Sequence, residues 1–251
     1  MYGVLTSQRD ATVEVVPRLG PSEGFALDVE RLIERLPGAA LLWLCAPNNP
    51  TGAPEPLETI DRILTAAGAI DGHRPVIVVD EAYAEFWHET AVPLRDRFVD
   101  LVVIRTLSKA FALSGIRVGY GVAVRPTIER LERVRPPGSI STPSATLAAA
   151  ALRRPDLARE NAAGLSAERE WLVARLGEIG RPPFPSVTNF LLLPVGDHAD
   201  ADALAERLLR RGIVPRTFGS DHPLRGQLRL TVRSRAENER LLDALEREPV
   251  R

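Results

Sequence analysis

Three runs of consecutive apolar residues organise the chain. Ala39 to Cys45, Val76 to Val79 and Leu101 to Ile104 each have strand length and no polar alternation, the pattern of strands buried on both faces. A fourth strand is expected over Val118 to Val124. Between them the apolar residues recur at helical spacing. Leu27, Val29, Leu32, Ile33 and Leu36 predict a helix over 27–36 that Pro37-Gly38 ends, and a second helix is expected from Leu57 to Ala69. Near the start, Ala11 to Pro17 reads as a short strand stopped by proline.

Strands alternating with helices predict an α/β fold with a mostly parallel sheet and helices on both faces. From Pro126 the pattern changes. Helices are expected over 126–135, 143–153 and 156–179, and Arg181-Pro182-Pro183 breaks the last. A strand from Val187 to Leu193, a helix over 199–211, strands near Ile213 to Thr217 and Gln227 to Val232, and a closing helix from Ala236 to Glu246 follow. That mixture predicts a smaller α+β domain. The expected division is a major domain over 1–155, then a long connecting helix and small C-terminal domain over 156–251.

Composition narrows the function. Among 251 residues the net charge is −1, so no basic face advertises nucleic acid and no polybasic block points to a lipid surface. One cysteine, Cys45, and four dispersed histidines leave no metal-ligand spacing, and no metal is expected. No apolar run reaches membrane-spanning length, which gives the expectation of a soluble cytoplasmic protein. One residue breaks the chain's bias towards arginine: Lys109 is its only lysine. Arginine stays protonated in proteins, whereas a lysine amine can lose its proton and attack a carbonyl. Lys109 is therefore a candidate Schiff-base residue.

In open α/β sheets ligands sit beyond the carboxyl ends of the strands. Polar residues gather at those ends here: Asn49 in Pro47-Asn48-Asn49-Pro50-Thr51-Gly52, Asp80 after the second long run, and Thr106-Leu107-Ser108-Lys109 after the third. Asp80 reads either as a helix cap or structural ion-pair partner, or as a carboxylate holding a proton on a bound heterocycle. Tyr83 either packs at the sheet edge or brings its hydroxyl to the same ligand. Thr106, Ser108 and Arg117 form either a solvated loop or a phosphate cup, and Asn49 is either ordinary turn chemistry or a free amide for a ligand.

Together these motifs have a family likeness. "PNNPTG", "VVDEAYAEF", "RTLSKAFALSGIRVGY" and the late "LRLTV" resemble the fold-type I, pyridoxal phosphate (PLP)-dependent aminotransferases, and the histidinol-phosphate aminotransferase branch above all. The resemblance runs over essentially the whole chain. It implies that Lys109 attaches PLP and shuttles the substrate's proton, that Asp80 pairs with the pyridine nitrogen, and that Asn49 and Tyr83 bond the phenolic oxygen. It implies further that Thr106, Ser108 and Arg117 hold the phosphate, and that Tyr2 stacks on the pyridine ring. Arg229 would receive the substrate α-carboxylate, with Asn189 beside it and Arg216 reading an anionic side chain. An amino acid or amino alcohol phosphate would serve as donor, a 2-oxo acid as acceptor, and a homodimer as the working unit. A threonine-phosphate decarboxylase shares every motif quoted, and a truncated remnant without catalysis is the third reading.

The resemblance also implies a further N-terminal portion on the order of 100 residues, the size of a small domain. It would supply a Gly-rich turn at the phosphate, an arm over the site and a tyrosine that reaches the partner subunit's cofactor. The expectation is that the natural polypeptide is longer than this chain.

Overall fold

The computed structural model describes residues 2–248. A four-stranded sheet is built from β1 (Leu41–Cys45), β2 (Val76–Asp80), β3 (Leu101–Thr106) and β4 (Gly119–Val122), in that spatial order. β1, β2 and β3 run parallel, with Trp43 opposite Val78 and Val79 opposite Val103, and β4 returns antiparallel with Thr106 opposite Gly119. The helices of the first half are α1 (Tyr2–Ser7), α2 (Val29–Arg35) and α3 (Leu57–Gly68).

Alternation along the strands decides the faces. Leu44, Ile77, Val79, Leu101 and Val103 meet Leu32 of α2 and Ile60, Ile63 and Leu64 of α3 in one buried cluster. Trp43, Cys45, Val78 and Asp80 therefore look to the other face, where Tyr2 of α1 rests on Trp43. β1 is less enclosed than its sequence suggests: it lies at the sheet edge, and Leu41 is exposed. Ala11 to Pro17 forms no strand, because it finds no neighbour to pair with and most of it is exposed.

The second half opens with α4 (Arg125–Val134) and α5 (Thr142–Leu152), followed by the 24-residue α6 (Pro155–Glu178). β5 (Phe190–Pro194) and β6 (Gln227–Thr231) pair antiparallel, flanked by α7 (His198–Arg210) and α8 (Arg235–Glu246). Leu172 and Leu176 of α6, Leu204 and Leu208 of α7, and Leu241 and Leu245 of α8 bury against Leu191, Leu193, Leu228 and Leu230. The strand expected near Ile213 to Thr217 reduces to one bridge between Arg216 and Arg229. Ile213 packs against the small-domain core while Val214 is exposed. Among the described residues no helix is long and apolar enough to cross a membrane.

A buried carboxylate fixes the edge of the site. Glu81, one residue past β2, is 3% exposed and accepts from Arg105 Nη2 at 2.7 Å, Thr90 Oγ1 at 2.8 Å and the Ala91 amide at 2.6 Å. Glu81→Ala should lower unfolding free energy by about 2 kcal/mol, less than for a fully buried pair because Arg105 keeps some solvent contact. Urea unfolding monitored by circular dichroism measures it.

Candidate active site

The chain folds so that three strand ends and the small sheet meet. After β3, Leu107 and Ala110 are buried and pin the loop on either side of Lys109. The Ala112 amide closes a turn onto the Lys109 carbonyl at 2.9 Å, and Asn161 of α6 donates Nδ2 to the Ala110 carbonyl at 3.0 Å. Lys109 is thus held from two elements and projects its Nζ over the Tyr83 ring, 5.2 Å from the centroid. Tyr83 itself is 3% exposed and meets Phe190 of β5 edge-to-face at 5.3 Å. Arg229 of β6 lies over the Phe190 ring at 4.9 Å. An amine and a guanidinium therefore occupy neighbouring aromatic faces.

The electrostatics follow from that placement. Burial lowers the Lys109 pKa first, and the positive charges of Arg229 and Arg117 lower it further, against the opposing pull of Asp80. The neutral amine is then populated at lower pH than in an ordinary lysine. Because Lys109 is the only lysine, amine-selective labelling read by peptide mass spectrometry reports this side chain alone. The labelling midpoint should fall below about 10.4, the ordinary lysine value, and should rise in Arg117→Gln, which removes a repelling charge. Burial also pushes the Tyr83 hydroxyl up to about 12, with Arg229 opposing, so it remains a hydrogen-bond donor at neutral pH.

Asp80 closes β2 and accepts from the Ala82 amide at 3.1 Å and from the Tyr2 hydroxyl at 2.5 Å. Asn49 accepts from Arg229 Nη1 at 2.6 Å, which joins the large sheet's turn to the small sheet. Thr106 donates its hydroxyl to Ser108 Oγ at 2.9 Å and receives the Ser108 amide at 3.1 Å. Arg117 is exposed in the left-handed region at φ 55°, and its Nη1 donates to the Ser114 carbonyl at 2.9 Å. The Asn189 carbonyl accepts the Val232 amide at 2.9 Å, and Arg216 exchanges two backbone bonds with Arg229. Structure thus gathers Lys109, Tyr83, Asp80, Tyr2, Asn49 and Arg229 by direct contact or shared partners. Thr106 and Ser108 stand on the same loop as Lys109, and Arg117 is close enough to depress its amine. Arg216 and Asn189 join through backbone alone, and the Arg216 side chain is exposed.

Several contributors carried no motif signal. Phe190, Asn161 and Trp43 support Tyr83, the lysine loop and Tyr2 respectively. The buried Arg18–Glu55 pair ties the coil before α2 to the Asn49 turn, with Arg18 Nη2 also on the Cys45 carbonyl at 2.9 Å. Only the isolated charges in otherwise apolar or Pro-rich stretches could have hinted at that pair.

An open, mostly parallel sheet with a lysine, a carboxylate and an arginine gathered at its strand ends defines an α/β enzyme of the aminotransferase kind. The chain belongs to the family Aminotransferase class I and II, whose profile matches residues 4–245. Within it the chain is similar to the histidinol-phosphate aminotransferase of Thermoanaerobacter sp. (strain X514), 39% identical over 248 residues, which cover 98% of this chain and 67% of the relative. The crystal structure of histidinol-phosphate aminotransferase from Sinorhizobium meliloti in complex with pyridoxal-5'-phosphate superposes with a TM-score of 0.86 at 28% identity, covering 98% of this chain and 66% of that one. L-threonine-O-3-phosphate decarboxylase from Porphyromonas gingivalis superposes less well, with a TM-score of 0.69 at 25% identity over 81% of this chain and 62% of that one. The chain spans about two thirds of the length of the curated relatives it matches.

Proposed function

We propose that this chain carries the cofactor and substrate groups of a PLP-dependent aminotransferase of the histidinol-phosphate type. The reaction moves an amino group from an amino acid or amino alcohol phosphate to a 2-oxo acid. One observation carries the reading: the only lysine holds a depressed amine over Tyr83, within electrostatic reach of Asp80, Arg117 and Arg229.

The residues present fit the cofactor. Beside it, Arg229 Nε is buried with no partner among the described residues, which suits the residue that would receive the substrate's anionic group. The remaining groups, a carboxylate, hydroxyls, an amide and an exposed guanidinium, suit a cationic ring, a phenolic oxygen and a phosphate. When bound, PLP would supply an electron sink for negative charge at the substrate Cα.

Each side chain then has a task. Lys109 would anchor the cofactor aldehyde and, once freed, take the proton from the substrate Cα as general base. Asp80 would hold the ring nitrogen's proton, and Asn49 and Tyr83 would orient the phenolic oxygen. Thr106, Ser108 and Arg117 would hold the phosphate, Arg117 by charge-assisted bonds. Arg229 would bind the substrate carboxylate, with Asn189 lining that end and Arg216 offered to an anionic side chain. The working unit is a cytoplasmic homodimer; sedimentation showing only monomer would remove the dimer from this reading.

A half-reaction screen tests the function. The chain with PLP should show a visible absorbance band that decays on adding histidinol phosphate and returns with 2-oxoglutarate. An amine formed without any oxo acid would shift the assignment to a phosphoamino-acid decarboxylase. No band with the unaltered chain would reject the cofactor site.

A further inference from the structure

The turn that carries Asn49 is a small closed unit whose attitude is set from outside. The Asn48 amide donates to the Ala53 carbonyl and the Gly52 amide to the Asn48 carbonyl, each at 2.8 Å, and Asn48 Nδ2 donates to Thr51 Oγ1 at 2.7 Å. Residues 48–53 therefore shift as one body. Among the described residues the Asn49 side chain hydrogen-bonds only Arg229, through its oxygen, which leaves its NH2 end to donate elsewhere. Where that donor points is decided by the backbone of the turn.

One side chain grips both feet of this turn. Arg18 Nη2 donates to the Cys45 carbonyl at 2.9 Å, where β1 ends, and Nη1 meets the Glu55 carboxylate at the other foot, two residues before α3. Nη1 also donates to the Phe25 carbonyl at 2.8 Å, and Glu55 accepts the Leu27 amide at 3.2 Å. The coil that presents Arg18 is closed by its own backbone, with the Leu19 amide on the Ala26 carbonyl at 2.9 Å and the Phe25 amide on the Gly20 carbonyl at 3.0 Å. Phe25 shares a buried cluster with Ala53 of the turn. The Glu55 side chain is 2% exposed, and a carboxylate so deep is costly unless paired and hydrogen-bonded. A planar guanidinium holds its acceptors at a fixed separation.

We propose that Arg18 and Glu55 are positioning residues for Asn49: by tying the two feet of the turn together they fix the amide that would meet the cofactor's phenolic oxygen. The inference rests on the PLP reading above. An amide donor on a phenolic oxygen favours its anionic form, so a displaced Asn49 raises the pH at which the visible band of the loaded chain changes. Arg18→Met alone would strand the Glu55 carboxylate. Arg18→Met/Glu55→Leu removes both charges, a replacement that buried ion pairs tolerate, and deletes every bond of the clamp.

The experiment compares the whole chain, unaltered and as Arg18→Met/Glu55→Leu, each with and without Asn49→Ala. Two readouts are taken: the pH midpoint of the band with PLP, and cofactor-free hydrogen exchange by mass spectrometry. The clamp requires the paired substitution to raise the midpoint by up to about one unit, and Asn49→Ala to give the same final value with or without it. It also requires exchange in 46–53 to accelerate about tenfold, the scale of a lost charge-assisted hydrogen bond, while exchange in β5 and β6 stays unchanged. An unmoved midpoint overturns the proposal, as do shifts that simply add to that of Asn49→Ala. Equal acceleration throughout the chain, the result for a pair that only stabilises the fold, overturns it too. If the unaltered chain gives no band, the cofactor reading fails, and exchange alone decides the clamp: no acceleration in 46–53 rejects it.

Discussion

Lys109→Ala is expected to remove the visible band seen with PLP and to lower transamination by about 10³-fold or more. The magnitude follows from losing both the covalent anchor and the base that moves the substrate proton, each a large contribution on its own. Lys109→Arg should be nearly as damaging, because a guanidinium keeps the charge but does not give up its proton at working pH. The fold should survive both changes. Leu107 and Ala110 are buried and carry the packing of this loop, whereas Lys109 is only partly buried. Absorbance spectra and single-turnover assays measure the loss, and near-wild-type urea midpoints would show that it belongs to chemistry. A Lys109→Ala protein that retained both band and turnover would end the assignment.

Gly52→Ala is expected to lower stability by about 3 kcal/mol. Gly52 has φ +80°, a region costly for any residue with a side chain, and a Cβ there would lie 2.2 Å from Ser186 Oγ and 3.2 Å from Ser186 Cα. The added carbon would also lie 2.6 Å from Ser186 Cβ, which side-chain rotation does not move, so turning the hydroxyl away cannot relieve the crowding. The Val187 amide also donates to the Gly52 carbonyl at 2.9 Å, and this seam joins the Asn49 turn to the segment leading into β5. Gly38→Ala supplies the comparison. Gly38 has φ +83° with nothing within 4 Å of the added carbon, so only the backbone term of about 1 kcal/mol should appear. Equal urea midpoints for the two variants would show that the Ser186 contact carries no energy.

These cases separate what the sequence discloses from what it conceals. Buried parallel strands declare themselves because both faces must be apolar, so β2 and β3 and the polar residues at their ends are legible from short windows. The edge position of β1, the absent strand at Ala11 to Pro17 and the single bridge at Arg216 are not, since each depends on whether a neighbour is available. The site shows the same division. Lys109, Asp80 and Asn49 stand in local motifs. Phe190 beneath Arg229, Asn161 on the lysine loop and Trp43 under Tyr2 are single residues whose partners lie far along the chain. Their chemistry is ordinary and only folding gives it a place. Tyr2 is the clearest instance: the resemblance implied a ring stacked on the cofactor, and the structure sets its hydroxyl on Asp80 and its ring on Trp43.

The bond from Arg229 to Asn49 bears on how the two ligands of the proposed reaction sense one another. Arg229 now spends one donor on the Asn49 amide oxygen, while its Nε has no partner among the described residues. A substrate carboxylate drawing the guanidinium toward itself would loosen that bond and change how firmly Asn49 is held for the role proposed for it at the cofactor's phenolic oxygen. Thermodynamic reciprocity makes the influence run equally in the other direction: a cofactor that engages Asn49 alters substrate affinity by the same factor. Beyond the bond they form with one another, the two would thus be coupled through one amide, and swapping Asn49 for alanine should remove that part of the coupling.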